Sequence, residues 1–286
     1  MPPQTMTKPK ELLNQSSYRP KKQKRKMKWE NTLCLGLEWE LDVISMNRID
    51  YTRTEDLEKV DKLLRNCSRK LQTTNPFYYK YDCSVDKGVE FVTVPVTLQY
   101  IHNKMALYKV AEFINTQTSF RATDQCGIHV HLDKDFFTPL EISKLRIFFS
   151  VNIPYLSKFS KRKEKQLMDW SRFESGYRVK DFVNGYRKED SITQSRRYAC
   201  SFCTNVFDTK KKTPKTIELR LFASTTDPDR LVSILQFCDA LAYFIKDHSS
   251  MTVSSKKCWK TFVDWCKKQN RYNHLVKELI RDNLAS

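Results

Sequence analysis

Three short segments of this sequence alternate between apolar and polar residues, and this pattern constrains the fold more than any other feature. In residues 37–43 (LEWELDV), apolar side chains alternate with acidic ones. Residues 126–132 (CGIHVHL) and 216–222 (TIELRLF) repeat the alternation with histidine, glutamate and arginine. Because successive side chains of a β-strand point to opposite faces of a sheet, each segment predicts a strand with an apolar back and a polar front.

The stretches between these segments carry helix and strand signals. The sequence predicts helices over 54–71, from about 100 to 117, from the capping box at Thr138 through Leu156, from Pro228 through Ile245, and a last one from about Trp259. It also predicts a hairpin over 78–96 and two strands over 197–207 and 215–222. Antiparallel strands interleaved with long helices indicate an α+β fold, in which a curved antiparallel sheet is backed by long helices.

Glycine is scarce, and this excludes two common ways of binding a nucleotide. Only five glycines occur in 286 residues, and no two of them form a cluster. A Rossmann fingerprint or a Walker A loop needs clustered glycines so that the backbone can approach a phosphate. A nucleotide-binding protein with this sequence must therefore hold phosphates with side chains and metal ions. Gly36, Gly88 and Gly127 lie in predicted strands, where a missing side chain permits a bulge or a close approach.

Positive charge is concentrated in a few places. The formal net charge is +18, and residues 1–28 contribute +8 of it through nine basic residues against Glu11 alone. We predict a disordered basic tail over 1–28 and a single domain over 29–286, with a basic, lid-like segment at 161–195 that starts in the run Lys161-Arg162-Lys163. Basic surfaces favour anionic partners, so the tail is suited to nucleic acid and also fits a nuclear-localisation patch.

Apolar runs and cysteines bear on the compartment. No apolar run approaches the roughly 18 residues that a membrane span needs, and no signal peptide is apparent, so we predict a soluble, intracellular protein of the cytoplasm or, through the basic tail, the nucleus. Nine scattered cysteines indicate reduced core thiols rather than a disulfide framework. Cys200 and Cys203 lack a second pair at zinc-ribbon spacing, so we interpret them as ordinary strand cysteines.

Two same-face pairs in the predicted strands have the residue types of a metal site. Glu38 and Glu40 lie about 7 Å apart along one strand, at roughly 3.3 Å per residue. A divalent cation between them would remove their repulsion. His129 and His131 have the same geometry, which recurs in metal enzymes. Taken singly, each pair also fits a plain structural interpretation, the wet face of a strand or half-buried histidines with backbone partners.

A third same-face pair, Glu218 and Arg220, adds a group that binds anions. In a site, Arg220 can hold a phosphate or carboxylate with two hydrogen bonds while Glu218 takes a metal. By itself the pair is often only a surface ion pair worth under about 1 kcal/mol. Together the three pairs favour metal-bridged phosphate chemistry, because phosphoryl transfer depends mainly on neutralising charge.

An ordered set of motifs resembles the amidoligase family of carboxylate–amine ligases, which is similar to glutamine synthetase and glutamate–cysteine ligase. The motifs are LGLEWELD, DCSVDKGVEFVTVP, CGIHVHLD, RRYACSFCTN and TIELRLFAST, within residues 33–245. The sequence departs from the family where Asp82-Cys83-Ser84 stands in place of D-G-S. The basic tail and the segment 161–195 also have no counterpart in the family.

The resemblance implies a glutamine-synthetase-like fold and an ATP- and Mg²⁺-dependent ligase. Such an enzyme phosphorylates a small-molecule or peptide carboxylate, and an amine donor then attacks the acyl phosphate. The segment 161–195 could close over this intermediate and exclude water. By similarity, the metal ligands are Glu38, Glu40, Glu90, His129 and Glu218, the catalytic groups are Glu218, Arg220 and Arg197, the ATP contacts are His131, Arg196 and Arg220, and the substrate or metal contacts are Asp82 and Asn205.

Two other functions stay open on the sequence. A ligase-like protein without catalysis could bind nucleic acid through its basic surface, with an affinity that falls steeply with salt. A metal-dependent hydrolase could use His129, His131 and the acids. It would work without ATP and prefer a transition metal to Mg²⁺.

Overall fold

The computed structural model describes residues 32–43, 77–82, 88–93, 95–104, 107–117, 120–173, 200–204 and 214–285. The strands in these residues are β1 Leu35–Val43, β2 Phe77–Asp82, β3 Gly88–Thr93, β4 Phe120–Arg121, β5 Gly127–Asp133, β6 Cys200–Thr204 and β7 Pro214–Ala223. They form one sheet with the order β2-β3-β1-β5-β7-β6, and β4 pairs with the end of β1. The pairings are antiparallel. The predicted α+β class with an antiparallel sheet is therefore confirmed.

Nine α-helices are present in the described residues. They are α1 Leu98–Lys104, α2 Leu107–Thr116, α3 Pro139–Val151, α4 Ile153–Ser160, α5 Glu164–Trp170, α6 Pro228–Asp247, α7 Ser250–Val253, α8 Cys258–Lys267 and α9 Asn273–Arg281. Asp227 caps α6 by accepting the N–H of Asp229, and Pro228 occupies its first turn. Most residues of α6 are buried, and this helix packs against α2, α3 and α9. The apolar helix predicted from Pro228 is confirmed.

The alternation of β1 separates core from site. Leu35, Leu37, Trp39 and Leu41 are at most 1% exposed and belong to the hydrophobic core. Each such side chain contributes about 1.5–3 kcal/mol when it leaves water. The indole N–H of Trp39 donates to the carbonyl of Thr225 over 2.9 Å, so its polar atom is also satisfied in the core. Since one face of β1 is committed to the core, its acidic residues must lie on the opposite face.

Two predicted helices differ from the structure. The helix expected over 100–117 occurs as α1 and α2, with 105–106 outside the described residues. The helix that begins after the Thr138 capping box stops at Asn152, which leaves helical geometry at φ −112° and ψ 19°. Pro154 follows in the first turn of α4 and has no N–H to continue the hydrogen-bond ladder, which explains the break. The helix predicted from Trp259 is α8, and it is followed by α9.

Several predictions lie outside the described residues. They concern the tail 1–28, the helix 54–71, the turn at 83–87 of the confirmed β2–β3 hairpin, the larger part of the lid-like segment, and Arg196, Arg197 and Asn205. Among described helices, none is long and apolar enough to span a bilayer. Among the described side chains, Cys126, Cys238, Cys258 and Cys266 are not in disulfides.

Candidate functional site

The register of the sheet brings the polar faces of β1, β3, β5 and β7 together. The facing pairs are Glu40–Glu90, Glu38–His129 and His131–Glu218. Most of these side chains are buried, and Glu38 and His131 keep about a fifth to a quarter of their side-chain surface exposed, at 24% and 20%. A cluster of carboxylates that is largely shielded from water is costly unless cations neutralise it. The front of the sheet therefore has the character of a cation site.

Glu38, His131 and Glu218 form the most compact group of metal-ligating side chains among the described residues. Each offers one ligand atom, and these atoms all lie within 4.8 Å of one another. Two ligands on opposite sides of a divalent cation at about 2.1–2.4 Å would be roughly 4.2–4.8 Å apart. The three side chains, which come from three adjacent strands, therefore fit around one divalent ion.

The ring of His131 is held so that one nitrogen faces the carboxylates. Its Nδ1 lies 3.1 Å from Oγ1 of Thr216, and its Nε2 lies 3.4 Å from Oε1 of Glu38. Nε2 is buried and has no hydrogen-bond partner among the described residues. When Nδ1 carries its proton toward Thr216, Nε2 presents a lone pair to the cluster, as a metal-ligating histidine does.

Opposite charges within the triad stabilise the ionised forms of its side chains. Burial alone would raise the pKa of Glu38, but the facing His131 and His129 outweigh it and hold this pKa well below its usual range. Burial alone would raise the pKa of Glu218 too, and the nearby His131 and Arg220 lower it instead. Burial would lower the pKa of His131, but the facing Glu38 and Glu218 raise it. The two carboxylates therefore stay ionised, which metal ligands require.

His129 lies between three carboxylates. Its Nδ1 is 3.6 Å from Glu38, 3.7 Å from Glu40 and 3.6 Å from Glu218. The family resemblance implies a metal contact for His129 and an ATP contact for His131, whereas the compact triad contains His131. The roles of both histidines stay predictions, and the structure places both within the same cluster.

A β-bulge lies beside His129. Ile128 pairs with Phe222, but Val130 pairs with Leu219, so one residue of β5 faces two residues of β7 at this point. Bulges redirect side chains and are frequent next to active sites. At the bulge, Nη1 of Arg220 donates to Oε1 of Glu218 over 2.5 Å, which confirms that these two side chains share a face. The bulge thus brings a guanidinium to the edge of the carboxylate cluster.

Arg162 is a site residue that the sequence analysis did not single out. After α4, Lys161 adopts a left-handed conformation at φ 60°, and the N–H of Arg162 donates to Oγ of Ser160 over 3.0 Å. This turn carries the guanidinium to Gly127, where an added Cβ would overlap Nη2 of Arg162. Arg162 lies in a run of three basic residues that all look solvent-exposed in sequence. Only the tertiary fold distinguishes it from its neighbours.

Glu40 is fixed on the same side of the site. Its Oε2 accepts the backbone N–H of Gly127 over 2.6 Å, and its own carbonyl accepts a hydrogen bond from Ser224. A Cβ at Gly127 would stand 3.4 Å from this Oε2 and 3.0 Å from Nε2 of His129. Gly127 therefore serves the close approach of side chains to one another, which is the use that the sequence predicts for a glycine in this strand.

The remaining predicted site residues lie at the edge of the cluster or outside the described residues. Glu90 is buried on β3 opposite Glu40 and is not part of the triad. Asp82 pairs with Gly88 at the end of the β2–β3 ladder. Arg196, Arg197 and Asn205 lie outside the described residues. Their assignment to substrate, metal or ATP stays a prediction.

Comparison with known proteins gives distant structural likenesses. No family model matches the chain, and no curated protein matches it either. A glutamine synthetase of Plasmodium falciparum is similar at 10% identity and a TM-score of 0.38, over 77% of this chain and 52% of that protein. Ligand-free GmaS is similar at 13% identity and a TM-score of 0.35, over 89% of this chain and 64% of that protein. The chain thus spans less than two thirds of either structure, and its site has to be judged on its own geometry.

Proposed function

We propose that this protein is an ATP- and Mg²⁺-dependent carboxylate–amine ligase that forms an amide or peptide bond through an acyl phosphate. The observation that carries the proposal is the contact between the triad Glu38–His131–Glu218 and the guanidinium of Arg220. A divalent-cation site beside an arginine is suited to ATP phosphates in a chain without a glycine loop. The ordered motifs that resemble the amidoligases point to the same reaction.

The triad would hold the divalent cation. When bound, the cation would neutralise charge on phosphate oxygens. The carboxylate oxygens of the triad suit Mg²⁺, and the imidazole of His131 also suits Mn²⁺. The buried Nε2 of His131, which has no hydrogen-bond partner among the described residues, matches a bound cation.

Arg220 would act on the phosphoryl group. Its Nη1 is held by Glu218, while its Nε is buried without a hydrogen-bond partner among the described residues. The main chain of Arg220 is fixed by Ser171, which donates to its carbonyl over 2.5 Å. A guanidinium held in this way can donate to a phosphoryl oxygen as charge builds up on it.

The proposed reaction has two steps. An oxygen of the substrate carboxylate attacks the γ-phosphorus of ATP, and ADP leaves with the electron pair of the broken P–O bond. The amine nitrogen then attacks the acyl carbon, phosphate leaves, and the nitrogen loses a proton. Because water would hydrolyse the acyl phosphate, the site must exclude it, and we propose this role for the segment 161–195.

The test is incubation of the full chain with ATP, Mg²⁺, pooled amino acids and ammonium, with detection of ADP and of new amide masses. We expect ADP release that requires both a carboxylate and an amine. Glu218→Gln should abolish it, whereas Glu112→Gln, which changes an exposed carboxylate on α2, should retain it.

Other outcomes would contradict the proposal. Tight binding of Mg-ATP without turnover on any acceptor would leave a binding protein. ATP-independent hydrolysis that prefers a transition metal would indicate a hydrolase. Salt-sensitive nucleic-acid binding that disappears on deletion of 1–28, in a chain without ligase activity, would favour the nucleic-acid alternative.

A further inference from the structure

Arg162 is buried although nothing in its local sequence requires it. Its side chain is 8% exposed, while Lys161 and Lys163 on either side are exposed. Its position is fixed by the left-handed turn at Lys161, whose side chain pairs with Asp282. The start of α5 is tied to the turn before β5, because Nε2 of Gln166 donates to the carbonyl of Asp124 over 2.5 Å. The fold therefore holds this guanidinium against the sheet.

The buried charge of Arg162 is only partly compensated by the residues around it. Burial lowers its pKa to about 10, which Glu40 partly offsets, so the group still carries its charge at neutral pH. Its Nε is buried and has no hydrogen-bond partner among the described residues, and the same holds for Nε of Arg220. Arg220 also disfavours the charge of Arg162, because the two like charges lie near each other. Buried polar atoms in native proteins normally have hydrogen-bond partners, so we expect a ligand to accept hydrogen bonds from these two Nε–H groups.

Glu40 does not complete this environment by itself. One of its carboxylate oxygens accepts the N–H of Gly127, and the other faces His129 at 3.7 Å. A negatively charged oxygen that accepts from both guanidiniums would give their Nε–H groups a partner and offset their repulsion.

The charges of the whole face agree with such a ligand. Among the described residues, its carboxylates outnumber its guanidiniums, and a divalent cation at the triad would offset the excess. With the cation bound, the face would carry no net negative charge to repel an anion at the two guanidiniums.

We propose that Arg162 is a second oxyanion-binding residue of the site, which together with Arg220 binds a phosphoryl or carboxylate oxygen of the substrates. This assignment names a substrate contact at the same site and to that extent rests on the proposed function. Binding of an anion can nevertheless be measured without turnover. If Arg162 only supports the fold, anion affinity will not depend on it.

The experiment measures the affinity of the full chain for inorganic phosphate and for glutarate by calorimetry, with Mg²⁺ present. The variants are Arg162→Met and, as a matched control, Lys165→Met, which removes the same charge from an exposed position three residues away. We expect Arg162→Met to lower the affinity for at least one of the two anions about tenfold or more. Lys165→Met should change the same affinity less than about twofold. Loss of phosphate binding alone identifies the phosphoryl oxygen, and loss of glutarate binding alone identifies the carboxylate.

Equal affinities in Arg162→Met and Lys165→Met, or no binding of either anion to the wild-type chain, would overturn the proposal. Thermal unfolding shows whether Arg162→Met folds. If it does not fold, the anion affinity is measured on Arg162→Lys instead, because lysine keeps the charge but lacks the donor fork of arginine. It should bind the anion at least about threefold more weakly. Ligase activity with unchanged anion affinity would overturn this proposal alone. Arg162-dependent anion binding in an inactive chain would overturn the proposed function alone.

Discussion

The imidazole of His131 and the hydroxyl of Thr216 lie 3.1 Å apart, Nδ1 to Oγ1, across the β5–β7 ladder. Thr216 is set on β7 so that its hydroxyl reaches the ring nitrogen that the triad does not use. Partners of this kind orient a metal-ligating histidine and select its tautomer. The site thus includes a residue that makes no contact with the proposed metal.

Thr216→Val should weaken metal binding although it removes no ligand. Valine keeps the shape of threonine but cannot accept the Nδ1 proton, so the ring of His131 loses its orientation. We expect the affinity for Mn²⁺, measured by electron paramagnetic resonance, to fall about tenfold or more. Thr216→Ser, which keeps a hydroxyl, should restore most of the affinity. An unchanged affinity in Thr216→Val would show that this hydroxyl does not orient His131 as a ligand.

Glu38→Gln should remove metal binding more completely. The amide is isosteric with the carboxylate but neutral, so it replaces one of the three ligands of the triad with an uncharged and weaker one. We expect the Mn²⁺ affinity to fall about 100-fold, with Glu112→Gln as the control. Because the low pKa of Glu38 reflects favourable contacts with histidines, the variant should also lose stability at neutral pH. Retained affinity would place the metal elsewhere.

Gly127→Ala and Gly36→Ala form a matched pair on adjacent strands. A Cβ at Gly127 would overlap the guanidinium of Arg162 and stand 3.0 Å from Nε2 of His129, whereas among the described residues a Cβ at Gly36 would meet Cβ of His131, at 3.5 Å. Since the tip of an arginine can move, Gly127→Ala should fold with a loss of about 1 kcal/mol or less in unfolding free energy. It should nevertheless lose anion affinity as Arg162→Met does, and Gly36→Ala should not. Calorimetry on both variants tests this, and equal affinities would contradict it.

Asp239→Asn should stabilise the protein at neutral pH. Asp239 is buried, and burial raises its pKa more than the hydroxyl of Tyr272 and the charge of Arg271 lower it. A raised pKa means that Asp239 favours folding at low pH and that this contribution is lost as pH rises through the folded pKa. Asparagine cannot ionise but can still accept the Tyr272 hydroxyl, which is 2.8 Å away.

The expected gain at pH 7 is about 1 kcal/mol in unfolding free energy, and it should shrink as pH falls toward 4. Chemical denaturation over this range measures it. Asp169→Asn, at an exposed position on α5, should show no such trend. A loss of stability in Asp239→Asn at every pH would contradict the account of this residue.

The strands and the faces of the site could be predicted from sequence because the alternation is short-range. Residues 37–43 and 215–222 match β1 and β7 closely, at Leu35–Val43 and Pro214–Ala223. The pairing of strands is a long-range property, and no local pattern shows that Glu38 faces His129 or that His131 faces Glu218. The assignment of roles to the two histidines was therefore limited to analogy.

Two features depend on tertiary structure and left little trace in sequence. The apolar spacing through Leu156 masks the break at Asn152, although Pro154 was a local signal for it. Arg162 carries no signal, because a basic run is normally solvated, and its burial follows from the turn at Lys161 and the glycine that makes room for it. The missing side chain at Gly127 was the only hint that something approaches the strand there.

The most direct test of the central claim follows an oxygen atom. The full chain is incubated with ATP, Mg²⁺, an amine donor and amino acids labelled with ¹⁸O in their carboxylates, and the released phosphate is analysed by mass spectrometry. An acyl phosphate transfers one carboxylate oxygen to phosphate when the amine displaces it, so we predict one ¹⁸O atom in each phosphate and a matching new amide. Unlabelled phosphate, with or without amide formation, would contradict the account.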